Sequence, residues 1–454
     1  MQKPAAVELQ FDDIQGVLLR ERPSPYVGTY VFLKVDNPEC GRRMLGRLAE
    51  VVNSAAGWWT DDLPPLLNVG LTFEGLRALG TPAASLESFP PEFRGGMAAR
   101  AEILGDTGES APENWEAPFG RGEIHVMLAI FATSQKPLAA ALELARKAHA
   151  ELPGVEVVGR QEFYQLPNGR GSFGFKDGIG NPEIEASGAP ARPGQGPQVK
   201  AGEFVLGHID ETGHPSPRPQ PAELGRNGTY LAWLKLHTKE AAFRQYLRAS
   251  SSDSEDEELL AAKMMGRWRS GAPLMLAPDR DDPELGEDRQ RNNDFLYHNQ
   301  DPRGLICPLG SHIRRMNPRD SLREEVAAVN LHRMVRRGTN YGPVLPDGVL
   351  EDDGADRGIV FVFMGAHLDR QFEFVKSQWA NDGNFAGLGA EQDPFVGGHE
   401  GDAVFTIPKS PIRRRLHGLP RFTVTRGGEY FFMPGIEALR WLARLKSPGS
   451  QSAI

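Results

Sequence analysis

Gly28-Thr29-Tyr30-Val31-Phe32-Leu33-Lys34-Val35 and Gly228-Thr229-Tyr230-Leu231-Ala232-Trp233-Leu234-Lys235-Leu236 are two versions of one segment, with one residue inserted in the second. Both read as strands. Each leads into apolar residues near helical spacing, Gly41 to Val52 after the first and Lys239 to Arg248 after the second. A second pair of runs keeps the same order. Arg121-Gly122 precedes the apolar run Ile124 to Ala132, and Arg357-Gly358 precedes Ile359 to Gly365. The first of these passes into the amphipathic segment Pro137 to His149. The second passes into Asp369 to Trp379, with apolar residues at Phe372, Phe374, Val375 and Trp379. Two strand-then-helix units per half, in one order, predict a duplicated α+β sandwich with helices on one face of a sheet. The Gly-, Pro- and Ala-rich stretch Ala186 to Gln198 and the polar Asp210 to Pro221 read as loops or linkers.

Composition narrows the function classes. Of 454 residues, 51 are Lys or Arg and 60 are Asp or Glu, so the net charge of −9 offers no electrostatic basis for binding nucleic acid or an anionic membrane. No run of 18 apolar residues predicts a membrane span, and Met1 to Phe11 lacks the apolar run of a signal peptide. The expectation is a soluble, cytoplasmic protein. Two cysteines, Cys40 and Cys307, supply neither a disulfide framework nor a four-thiolate metal site. The eleven histidines include no H-E-x-x-H, and Walker, G-x-S-x-G and Rossmann patterns are missing. Without C-x-x-C-H, any haem would be held with no thioether bond. The acidic run Ser250 to Glu258 reads as the capped start of a helix rather than a metal site.

Three short segments could carry chemistry. Gly174-Phe175-Lys176-Asp177-Gly178 sets a carboxylate beside Phe173 and Phe175, where it is costly without a partner or a task. An Asp-Gly turn is the plain structural alternative. His312 lies in Cys307-Pro308-Leu309-Gly310-Ser311-His312-Ile313-Arg314-Arg315-Met316-Asn317-Pro318-Arg319. One imidazole among several guanidiniums suits a metal cofactor that itself bears carboxylates, although a single His is also compatible with an ordinary structural role. Arg336-Arg337-Gly338-Thr339-Asn340-Tyr341-Gly342 adds a cationic pair beside a turn, which a solvated surface would equally explain.

Taken together, these segments resemble the dye-decolorizing peroxidases. Asp177 stands in a G-x-x-D-G motif, His312 in C-P-x-x-x-H-I-R and Arg336 in R-x-x-x-x-Y/F-G, in the family's order. The likeness runs from Asp12-Asp13-Ile14-Gln15-Gly16 through Leu224-Gly225-Arg226-Asn227-Gly228 to the Phe431 to Gly435 segment. It implies two ferredoxin-like halves, 1–165 and 166–454, with one non-covalent haem b between the sheet and helices of the second. It further implies that His312 ligates iron, with Asp393 as its acidic partner, and that Asp177 is the distal acid-base residue. Arg336 would stabilise the charge of O–O cleavage, with Arg337 the adjacent alternative, and Arg319 would pair a haem propionate. Ile359 and Phe361 would line the distal face. The reference pKa of an aspartate, about 3.9, implies activity extending to acidic pH. Trp379 and Tyr341 are the candidates for surface oxidation of donors too large to enter. Gly338 occupies the place where some members carry an asparagine. The implied partners are hydrogen peroxide and small-molecule or dye reductants, with no nucleic acid and no membrane, and a homo-oligomer is left open. The alternative reading is a haem-binding or haem-delivery protein with incidental peroxidase activity.

Overall fold

Both Gly-Thr-Tyr segments become the inner strands of their repeats in the computed structural model, which describes residues 8–57, 65–189, 196–322 and 328–446. The first repeat runs β1 (Val27–Val35), α1 (Pro38–Ala49), β2 (Leu66–Leu71), β3 (Val126–Ala132), α2 (Gln135–His149) and β4 (Val155–Tyr164). Asn37 starts α1 by accepting from the N–H groups of Glu39 and Cys40, with Pro38 in the first turn. Helix α2 buries Leu138, Ala141, Ala145 and Ala148, the stripe expected from Pro137 to His149.

The second repeat begins with β5 (Thr229–Thr238), α3 (Glu240–Ser250), α4 (Ser254–Met265) and α5 (His312–Met316). It continues through β6 (Val335–Arg336), β7 (Thr339–Tyr341) and β8 (Gly358–Gly365). After a hairpin, β9 (Ala403–Ile407) and β10 (Arg414–Leu419), it ends with β11 (Thr423–Met433) and α6 (Ile436–Ala443). Asp253 caps α4 by accepting from Asp256 N, so the acidic run opens a helix as its composition predicts. Between β8 and β9 the Asp369 to Trp379 segment is helical but wound wider, as π-helical turns over Leu368–Glu373 and Val375–Ala380. Such turns recur at functional sites.

Antiparallel pairing gives the order β2-β3-β1-β4 in one repeat and β7-β8-β5-β11 in the other, the ferredoxin-like arrangement twice. The two sheets do not remain separate. Strand β11 meets β2 at Phe432 and Leu71, and β4 meets β7 at Tyr164 and Asn340, so the sheet closes into one barrel with no free edge between repeats. Each seam is a single registered pair, and side chains do the rest. Inside, Tyr30 and Phe32 of β1 stand edge-on to Trp233 of β5 at 5.6 and 5.2 Å, while Phe119 stacks on Trp233 at 4.8 Å.

The glycine that opens each copy of the repeat has one job in both. A Cβ on Gly28 would lie 2.2 Å from the Phe163 ring of β4, and one on Gly228 would lie 2.7 Å from the Phe432 ring of β11. An aromatic ring of the fourth strand therefore covers the first strand only where no side chain stands. Among the described residues, no helix is long and apolar enough to cross a membrane.

An ion pair ties the first repeat to the π-helical segment. Arg100 donates to both oxygens of buried Glu373 at 2.9 and 2.6 Å, and Tyr430 adds a third bond at 2.9 Å. Arg100→Ala leaves that carboxylate buried with only Tyr430. Urea unfolding should show a loss of about 2 kcal/mol, partly restored by adding Glu373→Gln.

Candidate active site

A cavity of about 300 Å³ lies between the β5–β8 face of the sheet and the helices of the second repeat. Strand alternation decides what faces it. Val360 and Val362 of β8 point into the barrel core, whereas Ile359 and Phe361 point the other way and line the cavity beside Leu234 and Leu236 of β5. The facing wall comes from Met265 of α4, His312, Ile313 and Met316 of α5, and Phe372 and Val375 of the π-helical segment. Gly105, Asp106 and Ser110 of the first repeat also reach the lining.

His312 is the first residue of α5. Its position is fixed from below, because Ser311 Oγ donates to the Lys263 carbonyl of α4 at 2.5 Å. Its Nδ1 lies 2.9 and 3.1 Å from the two oxygens of Asp393, which is fully buried. Asp393 Oδ1 also accepts from the N–H groups of Phe395 and Val396 at 2.9 Å. Burial works against this charge, but His312, the backbone donors and nearby Arg315 hold the carboxyl below its usual range. A carboxylate only accepts, so Nδ1 donates to Asp393 and Nε2 is the ring nitrogen left for another partner, in a ring that lines the cavity. Arg315 anchors the turn by donating to the carbonyls of Trp379, at 2.6 Å, and of Glu391.

Asp177 stands in a tight turn between Gly174 and Gly178, at φ +81° and +83°, where only glycine is unstrained. Its Oδ1 accepts from Gly178 N at 2.6 Å, and its side chain is half exposed. Arg336 of β6 is held through its backbone, whose N–H donates to Asn181 Oδ1 at 2.9 Å. The two guanidiniums that follow one another in sequence part company here. Arg336 lines the cavity, while Arg337 turns away and donates to the carbonyls of Val17 and Leu18.

One group of lining residues is strongly cationic. Arg319 donates to the Asn293 and Phe295 carbonyls and lies 3.9 Å above the Phe295 ring. Arg267 and Arg333 line the same cavity, and burial pushes each guanidinium down to about 9. Among the described residues, none of Arg267, Arg319, Arg333 and Arg336 forms an ion pair with a carboxylate. Among the described residues, the Tyr297 hydroxyl and Asn317 Oδ1, both of residues lining the cavity, are buried without a partner. Desolvated cations beside unused polar groups mark a place built for an anionic guest.

The structure thus brings Asp177, Arg336, His312, Arg319, Ile359 and Phe361 to one cavity, with Asp393 directly behind His312. It corrects two expectations. Trp379 and Tyr341 are each only 3% exposed, so neither presents a ring at the surface. Trp379 packs with Val375 and Phe385, and Tyr341 lies under Lys235, 4.9 Å from its ring, with its hydroxyl on Asp356. Arg22, Arg267, Tyr297 and Arg333 escape a reading of the sequence. Arg333 alone had a local signal, three residues before Arg336 in the same cationic run.

Fold and cavity together define an α+β barrel that encloses a binding site in its second repeat. The comparisons with known proteins agree. The family described as "DyP dimeric alpha+beta barrel domain" matches residues 13–152. A dye-decolorizing peroxidase of Exidia glandulosa is 31% identical over 96% of this chain and 88% of its own. Peroxidase 2 of Mycetinis scorodonius is 30% identical over the same shares. Among solved structures, a fungal DyP-type peroxidase from Auricularia auricula-judae matches with TM-score 0.84 and 27% identity, covering 96% of this chain and all of that one. A dye-decolorizing peroxidase in complex with 2,6-dimethoxyphenol matches with TM-score 0.84 and 28% identity, over 96% of this chain and all of its own. The chain belongs to the dye-decolorizing peroxidases, and it is a peroxidase. Enzymes of this family are haem enzymes.

Among the described residues, the Arg333 guanidinium makes one weak bond, 3.4 Å to the Gly180 carbonyl, to offset its desolvation. Arg333→Met should therefore raise the stability of the ligand-free protein by about 1 kcal/mol in urea unfolding, at the expense of binding an anionic guest.

Proposed function

We propose that the protein holds one non-covalent haem b per chain, reduces hydrogen peroxide, and oxidises dyes, phenols and similar one-electron donors. The observation that carries this reading is the two-faced cavity, with a carboxylate-backed imidazole on one wall and a carboxylate beside a guanidinium on the other. The donor set fits the group. Apolar walls suit a flat macrocycle, and the cations without carboxylate partners, together with the unused Tyr297 hydroxyl, suit its two propionates. When bound, haem supplies an iron centre that peroxide oxidises by two electrons and that donors return to rest one electron at a time.

His312 would hold the iron through Nε2, while Asp393 keeps the ring oriented and raises its basicity as a ligand. Asp177, with Oδ1 tied to Gly178 N, has Oδ2 left to take the first proton of peroxide and to return it to the leaving oxygen. A guanidinium is a hydrogen-bond donor rather than a catalytic acid, so the task of Arg336 is to stabilise the negative charge that develops there. Ile359 and Phe361 would exclude water, and Arg319 would anchor a propionate. The halves divide near 165 and 166, with the second carrying most of the site.

A haem carrier needs neither Asp177 nor Arg336, so their shared cavity favours the enzyme over delivery. The half-exposed Asp177 side suits peroxide, and a relative solved in complex with 2,6-dimethoxyphenol supports phenols as donors.

His312→Ala should lose or loosen haem, read from the Soret band of the purified protein. Asp177→Asn and Arg336→Leu should keep haem and slow the peroxide step about a hundredfold or more in stopped-flow absorbance. Full rates in both distal variants would sink the assignment.

A further inference from the structure

Arg22 reaches the distal wall from the other repeat. Its Nη1 donates to the Gly338 carbonyl at 2.5 Å, and its Nη2 lies 3.9 Å from Asp177 Oδ2. The guanidinium is held over the Tyr26 ring at 4.8 Å. Tyr26 is itself fixed, because its hydroxyl accepts from the backbone and side-chain nitrogens of Asn340. Gly338 is two residues beyond Arg336, so one guanidinium spans the Asp177 carboxylate and the strand connection that follows the distal arginine.

The glycine matters. A Cβ at position 338 would lie 3.8 Å from Asp177 Oδ2, yet Gly338 carries no side chain that could hold that oxygen. Gly178 N holds Oδ1 only. Among the described residues, Arg22 is the cation within ion-pair distance of Asp177.

We propose that Arg22 is a positioning residue for the peroxide reaction, orienting the Asp177 carboxylate relative to Arg336. This rests on the reading of Asp177 as the proton acceptor. Magnitudes say where the effect should appear. An ion pair this exposed adds little to stability, whereas a misplacement of about 1 Å at a reacting group can cost up to a hundredfold in rate. The pair of Arg22 with Asp177 therefore acts on rate more than on folding.

The test uses full-length, haem-loaded Arg22→Gln and Arg22→Lys, each also combined with Asp177→Asn. Two quantities are read: the stopped-flow rate constant with peroxide, and the equilibrium affinity for cyanide, whose acid form must also give up its proton when it binds. Arg22→Gln should lower both about tenfold with Tm unchanged, and Arg22→Lys should recover most of the loss. In the Asp177→Asn background, Arg22→Gln should cost nothing further. Wild-type values in Arg22→Gln would overturn the proposal, as would an equal loss in the Asp177→Asn background, which would place Arg22 in the support of Gly338 alone. An unimpaired Asp177→Asn single variant would instead remove the reading of Asp177 on which the proposal stands.

Discussion

Closure of the sheet is the constraint on which the rest of this molecule depends. Two four-stranded sheets left open would each present unpaired edges, and β2, β4, β7 and β11 remove them by pairing across repeats. Because each seam is one registered pair, closure rests on the interior, where Tyr30, Phe32, Phe119 and Trp233 pack ring against ring. With one face of β5 and β8 committed to that interior, the other face is free to form a cavity wall. The alternation of Val360 and Val362 with Ile359 and Phe361 follows directly.

The two repeats use this arrangement differently. In the first, α1 and α2 lie on their strands and bury Leu45, Leu48, Ala141 and Ala145. In the second, the long connection after α4 supplies α5 and the loops around Asn293, so the helices stand off the sheet with the cavity between them. The first repeat closes the barrel and sends Arg22, Asp106 and Ser110 to the site's margin.

Charge is handled in two ways within this one cavity. The buried Asp393 is satisfied from several directions, by His312 and by two backbone donors. Among the described residues, the cations at Arg267, Arg319 and Arg333 have carbonyl and amide partners but no carboxylate, and burial weakens their hold on their protons. The first pattern holds a group in place, and the second leaves charge available for a guest.

Much of this was legible in the chain itself. The repeated Gly-Thr-Tyr segment and the strand-then-helix order determine the duplicated α+β architecture, because periodicity and turn chemistry act over a few residues. Asp177 and His312 were open to plain structural readings one segment at a time, and only the three motifs taken together, as a family resemblance, single them out. Other features depend on contacts between residues far apart in sequence. The resemblance had paired Asp393 with His312, and the fold brings the two into contact across 81 positions; only the fold brings Arg22 over Asp177 from the other repeat. Only the fold separates Arg336 from Arg337 and buries Trp379 and Tyr341 beneath the surface. Which face of a helix or strand meets solvent is decided by what packs on it, and in this barrel that partner often comes from the opposite half of the chain.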